Sequence, residues 1–300
     1  MTYGITHTDL DGIGCAIMLE KIYPKIQTFS IDYKDLDDAI ANVLSIAKPG
    51  DTLYITDISM NEEQATICDK ACLKVNHIDH HSSSKKLSYR FPWSFTDISH
   101  CATYHLHQML SRYATLSDYN EFVSLVDDYD TWGHGTQPSD QAKDLNRLLS
   151  MIGAEAFLAR FKLSGSVKLT DTEKVLIATD KYQEEQYLKE AMGKVFGLKD
   201  PDGNTFLMIS AERYTSSLGN FLLQNFEEAE YVVIVDSWRG KVSLRGKGNI
   251  DVGELAKRCG GGGHKKAAGF VNNSQALKNF WRCKDCEWRR SGDSTLDQQV

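Results

Sequence analysis

Apolar and polar positions alternate along the first 80 residues in two different periods. Short apolar runs at 1–6, 27–31, 52–56 and 73–78 have the length of buried strands. Between them, 12–23, 36–47 and 62–70 read as helices. The clearest is 36–47, where Leu36, Ala39, Ile40, Val43, Leu44 and Ala47 recur at i, i+3, i+4, i+7, i+8 and i+11. Pro24 closes the first helix, and Pro49-Gly50-Asp51 makes a turn. Strands alternating with helices at this spacing predict an α/β fold, a doubly wound and mostly parallel sheet.

The pattern weakens after Ser82-Ser83-Ser84. Residues 96–99 read as a helix start. A helix over 100–113 places Leu106, Met109, Leu110 and Tyr113 on one face. Ser117 and Asp118 can cap another, with Phe122, Leu125, Val126 and Tyr129 inward. Residues 141–188 look helical and largely polar, as a connector would. A smaller α/β unit follows, with strands at 204–210, 231–236 and 241–245 and helices at 216–225 and 252–258. The expected domains are 1–140, a helical connector 141–195, 196–282, and a frayed tail 283–300.

Composition narrows the class. The chain has 300 residues, 41% hydrophobic and 25% charged, enough for two domains with cores of their own. No apolar run is long enough to span a bilayer, and no signal peptide is evident. Seven cysteines without framework spacing suit a reducing compartment, so the expected location is the cytoplasm. The net charge is −7, whereas proteins that track long nucleic acid are usually basic. Any nucleotide substrate is therefore expected to be short: no long duplex, no membrane. A homodimer is compatible with the chain.

The chemistry gathers where the predicted strands end. The first runs into His7-Thr8-Asp9-Leu10-Asp11-Gly12, the third into Asp57, and the fourth into Asp79-His80-His81. Ligands of open parallel sheets sit at the carboxyl ends of the strands, so these groups should share one crevice. Each alone has a plain reading, as a solvated loop or a helix cap. Together they make a divalent-metal site, and a mixed His/carboxylate set suits Mn²⁺ better than Mg²⁺. Gly12 is expected to permit a turn there. In the acidic group Asp127, Asp128 and Asp130, helical projection puts Asp130 nearest the apolar face and Asp127 farthest away. Asp127 is thus expected to be solvated, and Asp127→Ala to be mild. Gly260-Gly261-Gly262-Gly263-His264-Lys265-Lys266 is either a flexible hairpin tip or an anion nest, with phosphate binding favoured. Cys283-x-x-Cys286 lacks a second pair for zinc. Cys68 and Cys72 share a helix face as buried thiols, and His77 belongs to the core or supports the site.

These motifs, in this order from His7 to Phe270, resemble the DHH phosphoesterase family with its C-terminal DHHA1 domain. They are His-x-Asp-x-Asp-Gly, a lone Asp57, Asp79-His80-His81, Asp128-x-Asp130-x-Trp132 and Gly-Gly-Gly-His. The resemblance implies two Mn²⁺ ions, with Mg²⁺ as the substitute. The implied metal ligands are His7, Asp9, Asp11, Asp57, His80 and Asp128, with Asp57 bridging. His81 would contact the scissile phosphate. In the second domain, which would close over the cleft, Arg245, Gly261, Gly262, Gly263 and His264 would grip the substrate. The layout is nearest to the nanoRNase-type oligoribonucleases. The expected reaction is hydrolysis of short RNA oligonucleotides to nucleoside monophosphates by metal-activated water. The alternatives are a phosphatase on 3'-phosphoadenosine 5'-phosphate, a cyclic-dinucleotide phosphodiesterase, and, in another class, a nucleotide-binding sensor without turnover.

Overall fold

The computed structural model describes residues 1–131, 137–200 and 202–272. Trp132, the Cys283/Cys286 pair and the tail lie outside them. The chain divides into two compact units, Met1–Ala178 and Thr179–Val300.

The first unit is built on five strands: β1 Thr2–His7, β2 Gln27–Ile31, β3 Thr52–Thr56, β4 Lys74–Asp79 and β5 Ser94–Thr96. All pair in parallel, in the order β2-β1-β3-β4-β5. Its helices are α1 Leu10–Ile22, α2 Leu36–Ile46, α3 Glu62–Asp69, α4 Lys85–Arg90, α5 Ala102–Leu110, α6 Asn120–Asp130 and α7 Asp140–Leu163. They cover both faces of the sheet. Leu36, Ile40, Val43, Ala65 and Leu87 pack on one side with Tyr3, Ile5, Leu53 and Ile55. On the other, Ile13, Ile17 and Met18 of α1 pack with Leu106, Phe122, Leu148, Phe157 and Phe161. Helix α1 is apolar nearly all round, and every residue from Leu10 to Leu19 is buried. The doubly wound sheet is thus as the periodicity predicts.

Residues 141–178, expected as a connector, belong to the first unit. Leu145, Leu148, Phe157, Phe161 and Ile177 are part of its core. The next helix, α8 Asp171–Met192, crosses the division between the units. Strand β5 falls where a helix start is expected, because three residues carry too little periodicity to show. The helix expected over 100–113 is shorter, and Tyr113 is exposed beyond its end. Cys68 is buried as expected, whereas Cys72 is exposed.

The second unit holds a mixed sheet: β6 Phe196–Lys199, β7 Thr205–Ser210, β8 Tyr231–Asp236, β9 Lys241–Gly246, β10 Gly262–Gly263 and β11 Ala267–Val271, in the order β10-β11-β9-β8-β7-β6. Only β7 and β8 pair in parallel. Helix α9 Thr215–Asn225 places Leu218 and Leu222 on one face of the sheet with Val232 and Ile234. Helix α10 Val252–Arg258 covers the other, with Val252 and Ala256 against Val233 and Leu244. Among the described residues, no helix is long and apolar enough to cross a membrane.

Candidate metal centre

The sheet order reverses between β1 and β3, the place where open α/β sheets take ligands. His7 closes β1 and Asp57 follows β3 there. Asp57 adopts a left-handed backbone, φ 55°, unusual for a residue with a Cβ. Its N–H donates to the Ile78 carbonyl at 3.0 Å, which ties it to β4. Asp9 is the N-cap of α1, and its Oδ1 accepts from Gly12 N at 3.0 Å. Gly12 is required for close approach and not for a turn: it lies within α1, and a Cβ would stand 2.2 Å from the His7 carbonyl oxygen.

Asp11 is buried at the start of α5. Its two oxygens accept from Ala102 N at 2.8 Å and Thr103 N at 2.7 Å, so the helix N-terminus holds the carboxylate in place. Asp79 is fully buried and accepts from His80 N at 2.8 Å, from Ser59 Oγ at 3.0 Å and from Ser84 Oγ. His81 Nδ1 donates to Asp79 Oδ1 at 2.7 Å, which leaves Nε2 as its outward nitrogen. The middle histidine of the motif turns the other way, into the carboxylates.

The side chains form two sets around Asp57. In one, His7 Nδ1 lies 2.7 Å from Asp9 Oδ2 and 3.8 Å from Asp57 Oδ2. In the other, His80 Nε2 lies 3.4 Å from Asp57 Oδ1, 3.7 Å from Asp11 Oδ2 and 3.2 Å from Asp130 Oδ2. Ligand atoms close enough to share one ion occur in His7, Asp9 and Asp57, in Asp57, His80 and His81, and in Asp11, His80 and Asp130. Asp57 Oδ2, His80 Nε2 and Asp130 Oδ2 are buried without a hydrogen-bond partner. Such atoms are costly unless something else binds them. Desolvation first, then the charges of Asp9, Asp11 and Asp130, push the Asp57 carboxyl well above its usual range. Asp130 is raised by burial and by Asp11 and Asp9. Burial outweighs the neighbouring acids at His80 and lowers it. At His81 burial opposes protonation, but the Asp79 contact wins and raises it. The cluster carries more negative charge than the protein neutralises, and its donor set fits divalent cations.

Most of the expected ligands converge: His7, Asp9, Asp11, Asp57 and His80 do, with His81 beside them. Asp128 does not. Its Oδ2 accepts from Ser139 N at 2.9 Å, and Asp130, one turn of α6 beyond Asp127, stands in the cluster instead. The expectation of a solvated Asp127 also fails. It is buried, and its oxygens meet Cys101 N and His100 Nδ1, both at 2.7 Å. Helix α6 buries this acid because it is wedged against the start of α5, a contact that single-helix projection cannot represent. His77 is in the core, with Nδ1 2.8 Å from Ser94 Oγ. Sequence reasoning passed over Tyr33, in the turn after β2, whose ring lies 5.2 Å from that of His7. Its position after a strand end was the available signal.

In the second unit, Arg245 pairs in register with Ala267, beside the glycine-rich hairpin. Arg245 Nη2 donates to Ser216 Oγ at 2.7 Å. The run is built as a hairpin and not as an open nest. Gly260 N, Gly261 N and His264 N donate to the carbonyls of Lys257, Ala256 and Ala267. A Cβ on Gly261 would stand 2.1 Å from the Gly269 carbonyl oxygen, whereas one on Gly262 would meet nothing within 4 Å. His264 is exposed.

Known proteins bear on this arrangement in three ways. Residues 211–282 match the DHHA1 domain. The chain is 32% identical to the oligoribonuclease NrnB of Bacillus subtilis, over 92% of this chain and 74% of that protein. It is 27% identical to a 3',5'-cyclic-nucleotide phosphodiesterase of Helicobacter pylori, over 89% of this chain and 91% of that one. In fold it is similar to RecJ of Thermus thermophilus, with a TM-score of 0.58 and 16% identity, over 93% of this chain and 50% of that one.

Proposed function

The chain belongs to the DHH/DHHA1 phosphoesterases, and on that premise we propose that it hydrolyses short RNA oligonucleotides to nucleoside monophosphates at a two-metal site in its first unit. The observation that carries this reading is the pair of ligand sets sharing Asp57, with buried acceptor atoms that no protein donor satisfies. His7, Asp9 and Asp57 would hold one cation, and Asp57, Asp11, His80 and Asp130 the other. Bound there, the ions would neutralise phosphate charge and acidify a water for attack on phosphorus. Mn²⁺ suits the mixed imidazole and carboxylate donors, and Mg²⁺ is the substitute.

The chain's own groups do the rest. Asp79 fixes the rotamer and tautomer of His81, so that Nε2 faces the reacting phosphate. The α5 N-terminus keeps Asp11 oriented. The second unit offers Arg245, Gly262 and His264 to the substrate, and the remaining glycines of the run let the hairpin close behind them. The acidic balance of the whole chain favours a short substrate held by few cationic groups.

The test is incubation with Mn²⁺ and RNA oligomers from two nucleotides upward, beside 3'-phosphoadenosine 5'-phosphate, a cyclic mononucleotide and cyclic dinucleotides. Release of nucleoside monophosphates from the shortest oligomers is expected, and Asp57→Ala should reduce it to background. Turnover of none of these compounds would overturn the enzymatic reading and leave a nucleotide-binding sensor. Preferential turnover of a cyclic compound is the second reading, favoured by the likeness to the Helicobacter pylori phosphodiesterase.

A further inference from the structure

Tyr33 follows β2 in a single turn of 3₁₀ helix, and the residue remains 45% exposed. Neither hydrophobic cluster of the first unit includes it. Its ring contacts among the described residues are with two imidazoles: His7 at 5.2 Å between centroids, and His81 edge-on at 6.2 Å. Its hydroxyl lies 3.4 Å from His81 Nε2. Asp79 holds the far nitrogen of His81 and is itself locked by Ser59, Ser84 and His80 N. A phenol hydroxyl and an imidazole nitrogen therefore meet at one point on the rim of the carboxylate cluster. A side chain kept for packing would bury its ring in the core. This one is held over the site by the groups that build the site.

We propose that the Tyr33 hydroxyl and His81 Nε2 form a two-donor slot for the non-bridging oxygens of the scissile phosphate, which makes Tyr33 a substrate-contacting residue. The inference rests on the reading of this unit as a phosphoesterase site. The slot supplies donors where negative charge accumulates as phosphorus is attacked. The ring would also shield His7 from water on that side.

The test is Tyr33→Phe, which keeps the ring and removes one donor. With Mn²⁺ present, calorimetric titration with inorganic phosphate reads the slot without turnover, and Mn²⁺ titration alone reads the metal ligands. The variant should bind phosphate about tenfold more weakly and lose on the order of 10²-fold in kcat with little change in KM. Its Mn²⁺ affinity and melting temperature should match the wild type. Unchanged phosphate affinity and kcat would overturn the proposal. So would an equal loss of Mn²⁺ affinity, since Tyr33 would then act by bracing His7. A wild type that binds phosphate but cleaves no nucleotide would refute the proposed reaction, and the slot would be judged by the phosphate titration alone.

Discussion

The two units handle polar groups at their functional ends in opposite ways. In the first, Asp57 Oδ2, His80 Nε2 and Asp130 Oδ2 are buried and have no hydrogen-bond partner among the described residues. In the second, the N–H groups of Gly260, Gly261 and His264 are all spent on protein carbonyls, and the side chains of His264, Lys265 and Lys266 are exposed. Unsatisfied buried acceptors cost stability and persist when a ligand repays them. An exposed hairpin with an arginine nearby costs little and can meet a variable substrate. On the proposed function, chemistry would belong with the first unit and recognition with the second.

The sharpest way to break this contrast is in the acidic helix α6. Asp130→Asn should lower turnover by about 10²-fold or more and weaken Mn²⁺ binding measured by titration, whereas Asp128→Asn should stay within about twofold. Equal effects would mean that α6 presents its acids differently. Asp127→Ala, which removes a cap from α5 at Cys101 N, should cost about 1–2 kcal/mol in denaturant unfolding. A comparable effect is expected from the hairpin glycines. Gly261→Ala drives a Cβ into the Gly269 carbonyl and should destabilise the second unit by about 1–3 kcal/mol. Gly262→Ala should leave the melting temperature unchanged and raise KM a few-fold, because that face is free for a ligand.

The smallest expected effect lies away from both ends. Glu173 pairs with Arg160 and accepts from Thr170 N at 2.7 Å, in a capping box that starts α8. Burial opposes its charge, but Arg160 and Thr170 prevail and hold it below the usual glutamate range. A depressed carboxylate stabilises the fold above its unfolded pKa and loses that contribution as pH falls through the folded one. Glu173→Gln should therefore lower the melting temperature at pH 7, and the gap to the wild type should close as the medium is acidified below the ordinary glutamate range. A gap independent of pH would show that shape, not charge, is what matters there.

Local pattern was sufficient for much of the molecule. The strand ends that carry His7, Asp57 and Asp79-His80-His81, the α2 stripe and the β8–β9 hairpin are all set by residues close in the chain. So is their convergence, because parallel strands with right-handed crossovers bring their carboxyl ends to one edge. What needed the tertiary structure was anything decided by a contact between distant segments. Three acids of α6 look alike in sequence, but only packing against α1 and α5 separates Asp130 in the site from Asp127 beneath it and Asp128 outside. Tyr33 enters the site only because β2 lies beside β1. The membership of α7 in the first unit depends on phenylalanines whose partners lie on α1 and α6. Periodicity reports which face of an element avoids water, but not which neighbour covers it, and that neighbour determines whether a buried carboxylate caps a helix or waits for a cation.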